Sequence, residues 1–180
     1  MTKTPSKISI NGYATPTPTS FLMRKWGAPG KLTKNCSSIL NPEWSKRMRT
    51  RSVGPFKVTG HFLAISLLTK KLNELKADNP SLYKKLGTAG MLCCRATRVN
   101  PKVYSNHSLG LAIDFTIAGV LDAPGDGLTQ PELIVLYQYL KPQSKNDDGF
   151  FWGAEFGVED SMHFEVSGET VMRWVRGGLF

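Results

Sequence analysis

The apolar run Leu111 to Ile117 (Leu-Ala-Ile-Asp-Phe-Thr-Ile) carries a carboxylate, Asp114, at its centre. Gly110 precedes it and permits a tight turn, so the run reads as a buried strand. A carboxylate taken out of water is heavily penalised unless something compensates it. Whatever this chain folds into must therefore bring backbone amides or a cation to that point of the strand. Taken alone, backbone amides are the commoner partner.

The rest of the chain supplies packing for such a strand. Phe62, Ile65, Leu68, Leu72 and Leu75 recur at intervals of three and four, which predicts a helix from Thr59 to about Asp78-Asn79-Pro80 with one apolar face. Met91 to Arg95 reads as a short extended run, and Ser161 to Val166 as another strand. Thr129-Gln-Pro-Glu132 matches a capping box with Pro in the first turn, opening a helix through Leu140 that Pro142 stops. Glu169 to Val175 reads as a last short helix. Residues 1–55 are rich in Pro, Thr, Ser, Gly and Lys, with short apolar pieces at Ile8 to Ile10 and Phe21 to Met23. They predict an irregular arm packed on a core of residues 56–180, anchored by Trp26 and Trp44. The expected class is α+β: one small domain with a central antiparallel sheet flanked by helices.

Composition narrows the function. With 180 residues, 41% hydrophobic and 21% charged, the chain is long enough to bury a core and is not of a disordered type. No apolar run reaches the roughly 20 residues of a membrane span. Met1 to Lys7 leads into no apolar signal core, so synthesis and folding in a cytoplasm is the expectation. Cys36, Cys93 and Cys94 are then expected as reduced thiols. A formal charge of +9, from 23 Lys and Arg against 14 Asp and Glu, favours polyanionic partners such as envelope polymers. The run Lys46 to Arg51 is expected as a solvated loop. It lacks the interleaved aromatics of a nucleic-acid groove, and no such partner is expected.

The chain has three histidines. His61, at the start of the first helix, is expected to pack or cap. His107 lies in Ser105-Asn-His107-Ser-Leu-Gly110-Leu-Ala-Ile-Asp114, and His163 in Glu159-Asp160-Ser-Met-His163-Phe-Glu165. On a strand His163 and Glu165 share a face. One His flanked by acids is more often a surface ion pair than a ligand. Two such contexts in a chain this poor in histidine change the balance, because two His and one carboxylate are a common set for catalytic zinc.

Ser105-x-His107-x-x-Gly110-x-Ala112-x-Asp114, followed by Trp152 and by Asp160-x-x-His163-Phe-Glu165, resembles the signature of the M15 metallopeptidases. That group comprises zinc D-alanyl-D-alanine carboxypeptidases and dipeptidases, and L-alanyl-D-glutamate endopeptidases of phages and bacteria. The resemblance runs from about Gly60 onward and implies a fold like that of these peptidases and of the hedgehog signalling domain. It implies Zn2+ held by His107, Asp114 and His163, with Asp160 as general base. It also implies a carbonyl-polarising arginine, which Arg95 matches, with Arg98 as the alternative. Trp152 would line the cleft, and Ser105 and Glu165 would contact substrate or support the ligands. The implied activity is hydrolysis of the peptidoglycan stem peptide by an endolysin-like monomer, first as an L-alanyl-D-glutamate endopeptidase. The alternatives are a D,D-carboxypeptidase and a zinc-containing wall-binding module without catalysis. Such a protein would be held in the cytoplasm and act on the wall after release.

Overall fold

A computed structural model describes residues 1–5 and 10–180; of the N-terminal apolar piece, Ile8 lies outside the described residues. The chain begins with β1 (Thr2–Lys3), followed by helices α1 (Thr19–Trp26) and α2 (Pro42–Ser45). Two helices thus stand where the sequence suggested only irregular chain. Asn41 Oδ1 accepts the N–H of Glu43 at 2.9 Å and caps α2. Trp44 is fully buried, its ring 6.1 Å from those of Trp26 and Phe180, and its Nε1 donates to the Gly27 carbonyl at 2.8 Å.

The basic run does not form a loop. Residues from Met48 onward enter β2 (Met48–Ser52), which pairs antiparallel with β3 (Lys57–His61) across a turn containing Gly54 and Pro55. Arg49 and Arg51 remain exposed. Because Thr59 to His61 belong to β3, helix α3 (Phe62–Asp78) begins three residues later than its periodicity suggested. His61 caps it: Nδ1 accepts the N–H of Leu63 at 3.3 Å. Leu68, Leu72 and Leu75 on its inner face are fully buried, each contributing on the order of 2 kcal/mol. The short helix α4 (Pro80–Lys85) follows, capped by Asn79.

The main sheet then assembles. The strand expected at Met91 to Arg95 is displaced upstream to β4 (Leu86–Gly90); downstream of it only isolated bridges form at Cys94 and Ala96. After a 3-10 turn at Asn106–Leu109 come β5 (Ala112–Ile117), β6 (Val120–Leu121) and β7 (Leu128–Thr129). Helix α5 (Pro131–Leu140) starts without the expected box: its N-cap is Gln130, and no side chain caps it. Thr129 instead pairs with β1 and gives its hydroxyl to buried Asp122. Strands β8 (Phe150–Trp152) and β9 (His163–Val166) complete the sheet, in the order β4-β5-β9-β8 with β6 also on β5, every pairing antiparallel. Helix α6 (Gly168–Arg176) is capped by Ser167. The result is a small single-domain α+β protein in which α3, α5 and the sheet share one core.

Cysteine is a further correction. Cys36 and Cys93 form a disulfide across 57 residues, and only Cys94 is a free, buried thiol. The bridge ties the N-terminal region to the segment leading into the 3-10 turn, where the Cys93 N–H donates to the His107 carbonyl at 3.1 Å.

Candidate metal centre

Three elements converge at the centre of the sheet. Asp114 and His163 are register partners on β5 and β9, so their side chains leave the sheet on one face. His107 reaches the same point from the 3-10 turn. Ser105 opens that turn, its Oγ accepting the His107 N–H at 3.4 Å. Gly110 closes it at φ +61°, and a Cβ there would meet the His61 nitrogen at 2.6 Å, so no other residue lets the chain turn into β5 this closely.

Each imidazole is oriented by the nitrogen that faces away from the centre. His107 Nδ1 donates to the Met91 carbonyl at 3.1 Å, leaving Nε2 to point inward. His163 Nε2 lies 3.0 Å from Glu165 Oε2, leaving Nδ1 to point inward. His107 Nε2, His163 Nδ1 and Asp114 Oδ1 stand 3.0 to 3.2 Å from one another. Tetrahedral zinc with bonds of about 2.0–2.1 Å spaces its ligands roughly 3.3 Å apart, so this set fits a zinc ion. Among the described residues these are the three His, Cys, Asp or Glu side chains that converge in this way.

Electrostatics agrees. Burial pushes the Asp114 carboxyl up, but the two imidazoles reverse this and hold it well below the usual carboxylate range. Burial opposes a proton on His163, yet its bonds to Asp114 and Glu165 raise its affinity above that of an ordinary histidine. The centre is thus built to stabilise positive charge between half-buried Asp114 and buried Glu165.

The centre forms one wall of a cleft of about 730 Å³. Asp160 lies at the wall three residues before His163, its carbonyl accepting the His163 N–H at 3.0 Å. Its Oδ1 is buried without a hydrogen-bond partner, and burial raises its pKa, with Asp114 adding to the rise and His163 and Arg98 acting against it. Arg95, Arg98, Ser105 and Glu165 also line the cleft. Arg95 Nη1 donates to the Ala96 carbonyl at 2.9 Å, and its backbone is fixed against Ser108 and Ser105.

Trp152 does not line the cleft. It is 1% exposed and stacks on Phe164, with ring planes 10° apart and centroids at 5.8 Å, while Nε1 donates to the Ser161 carbonyl. An indole this size gains more from the core between β8 and β9 than from a wet cleft. Phe156 and Tyr104 line the cleft instead, and the Phe156 ring lies 5.5 Å from that of His163. Glu159, adjacent to Asp160, is committed to backbone amides of Ser161 and Gly125. Sequence reasoning also missed Asn106 and Thr17. Both donate to the Glu165 carboxylate at 2.8 Å; Asn106 sat in view between Ser105 and His107, but Thr17 lies 148 residues from Glu165 and has no local signal.

Residues 98–166 match the sequence profile of a peptidase M15 family described as D-alanyl-D-alanine carboxypeptidase. The match takes in His107, Asp114, Asp160, His163 and Glu165, leaves Arg95 outside, and supports a peptidase of the M15 group. No curated protein and no solved structure matches the chain.

Proposed function

We propose that the protein is a zinc peptidase of the peptidoglycan stem peptide, endolysin-like, with a fold of the hedgehog and D-alanyl-D-alanine peptidase type. The observation that carries the reading is the convergence of His107 Nε2, Asp114 Oδ1 and His163 Nδ1 beside the unpartnered, buried carboxylate oxygen of Asp160. These three residues would hold the metal. Bound zinc supplies Lewis acidity, which polarises an amide carbonyl and makes water a nucleophile near neutral pH. Asp160 takes the proton of the attacking water and returns it to the departing amine. Its raised pKa suits a base working near neutral pH. Arg95, with Arg98 as the alternative, lines the cleft and would supply positive charge to the carbonyl oxygen as it becomes negative. Glu165 and Ser105 hold the histidines in position.

An L-alanyl-D-glutamate endopeptidase is the first reading of the bond cleaved. The description of the matching family favours a second, a D,D-carboxypeptidase. The cationic surface suits anionic envelope polymers, and the Cys36–Cys93 bridge suits work outside a reducing compartment, after release from the cytoplasm. The reading is tested by metal. Chelator should abolish hydrolysis of stem peptide, one equivalent of zinc should restore it, and His163→Ala should lose zinc and activity together. Full hydrolysis by metal-free protein contradicts it.

A further inference from the structure

Glu165 is 2% exposed, yet every one of its polar contacts is made. Oε2 meets His163 Nε2 at 3.0 Å and accepts Asn106 Nδ2 at 2.8 Å. Oε1 accepts the backbone N–H of Thr17 at 2.8 Å. Thr17 lies between Pro16 and Pro18, and Pro18 confines it to extended backbone. Its hydroxyl donates to the Val166 carbonyl at 2.5 Å, and two residues earlier the Thr15 carbonyl accepts the Gly168 N–H at 2.8 Å. The Glu165 carboxylate can only accept, so it turns Asn106 Nδ2 toward itself, and Asn106 Oδ1 then faces the Thr19 hydroxyl.

We infer that the N-terminal arm is a working part of the metal centre: Thr17 and Asn106 are positioning residues that seat Glu165, which in turn fixes the ring of His163. The inference rests on the zinc reading above. A histidine offers either ring nitrogen to a metal, and the choice is set by the hydrogen bond its other nitrogen makes. Here that bond goes to a carboxylate held on both oxygens, one by the arm and one by the residue preceding His107. The arm and the His107 turn are thereby linked through Glu165 to the ligand on β9. Without the two donors, a buried carboxylate with two fewer bonds would rotate, and His163 Nδ1 would lose its fixed aim.

The test is zinc affinity in the full-length protein, by competition with a chromophoric chelator. Asn106→Leu keeps the volume but removes both the amide donor and the acceptor for Thr19. It should bind zinc ten- to hundredfold more weakly, the range for an outer residue that orients a ligand. Leu72→Ala, a core truncation distant in function from the site, should lower thermal stability at least as much and leave zinc affinity within about twofold of the parent. Cobalt(II) in place of zinc should show an altered d–d spectrum in Asn106→Leu and an unchanged one in Leu72→Ala. If Asn106→Leu binds zinc as the parent does, the seating of Glu165 does not set zinc affinity and the inference is overturned while the metal centre stands. Equal weakening in both variants also overturns it, as general destabilisation. A parent that binds no zinc, or binds it equally well as His163→Ala, overturns the metal reading itself and this inference with it.

Discussion

Asp114 and His163 face each other as register partners on β5 and β9, and Asp114 Oδ1 lies 3.0 Å from His163 Nδ1. The ladder fixes both Cα positions and the face that the two side chains share, and hydrogen bonds to the rings set their aim. Asp114→Asn keeps the shape and removes the charge that metal and imidazole both require. Its zinc affinity should fall by more than the ten- to hundredfold expected for an outer residue, with activity falling in step. Equilibrium zinc titration checks this. Affinity should also weaken as pH is lowered, because the proton favoured on His163 competes with the metal.

Asp160 separates catalysis from metal binding. Asp160→Asn should retain zinc and thermal stability close to the parent and lose most hydrolysis, by a factor of about a hundred or more. The base must be ionised, so activity falls as pH drops through its pKa, which burial places above the ordinary carboxylate value. Arg98 lowers that pKa, so Arg98→Ala should move the acid limb of the kcat profile to higher pH. A limb that stays in place would remove Arg98 from the electrostatics of the base.

How much of this was legible in the sequence depends on how local each signal was. Asp114 in its apolar run and the two histidine contexts carry their chemistry within ten residues, and the structure brings those side chains together. The helix of Phe62 to Leu75 and the capping role of His61 were legible for the same reason. Trp152 was misplaced because its cleft position was carried over from the resemblance, whereas its stacking on Phe164 is set by strand pairing. Thr129 has the residue types of a capping box, but Asp122 and β1 compete for it across the fold. The β2–β3 hairpin had a signal, Gly54-Pro55 between two five-residue runs, which the density of charge in the first run obscured. The disulfide had none: nothing near Cys36 or Cys93 indicates that a 57-residue loop closes between them.

His61 makes the metal-free protein sensitive to acid. Its ring is fully buried between Phe62 and Phe180, Nε2 has no partner, and burial, with Arg47 adding to it, lowers its pKa to about 3. The unfolded chain takes up this proton near pH 6.5 and the folded chain does not, so stability is full above pH 6.5 and declines as pH falls toward 3. Between pH 6.5 and 4.5 the loss should be about 2–3 kcal/mol. Urea unfolding in chelator should show it in the parent and not in His61→Leu.

The Cys36–Cys93 bridge should stabilise the fold mainly by constraining the unfolded chain. For a loop of this length the contribution is about 4 kcal/mol. The double variant Cys36→Ser, Cys93→Ser, or the parent in strong thiol reductant, should unfold roughly 8–16 °C lower. Because Cys93 bonds the backbone of His107, the reduced protein should also hold zinc more weakly. Calorimetry with and without reductant checks the first effect, and zinc titration the second.

The most direct measurement is digestion of purified peptidoglycan with mass spectrometry of the fragments. The zinc-loaded protein should generate new amino and carboxyl termini within the stem peptide, at the L-Ala–D-Glu bond on the first reading. Asp160→Asn and chelated protein should generate almost none. An intact stem peptide after prolonged incubation with zinc-loaded protein, or the same new termini from metal-free protein, would contradict the account.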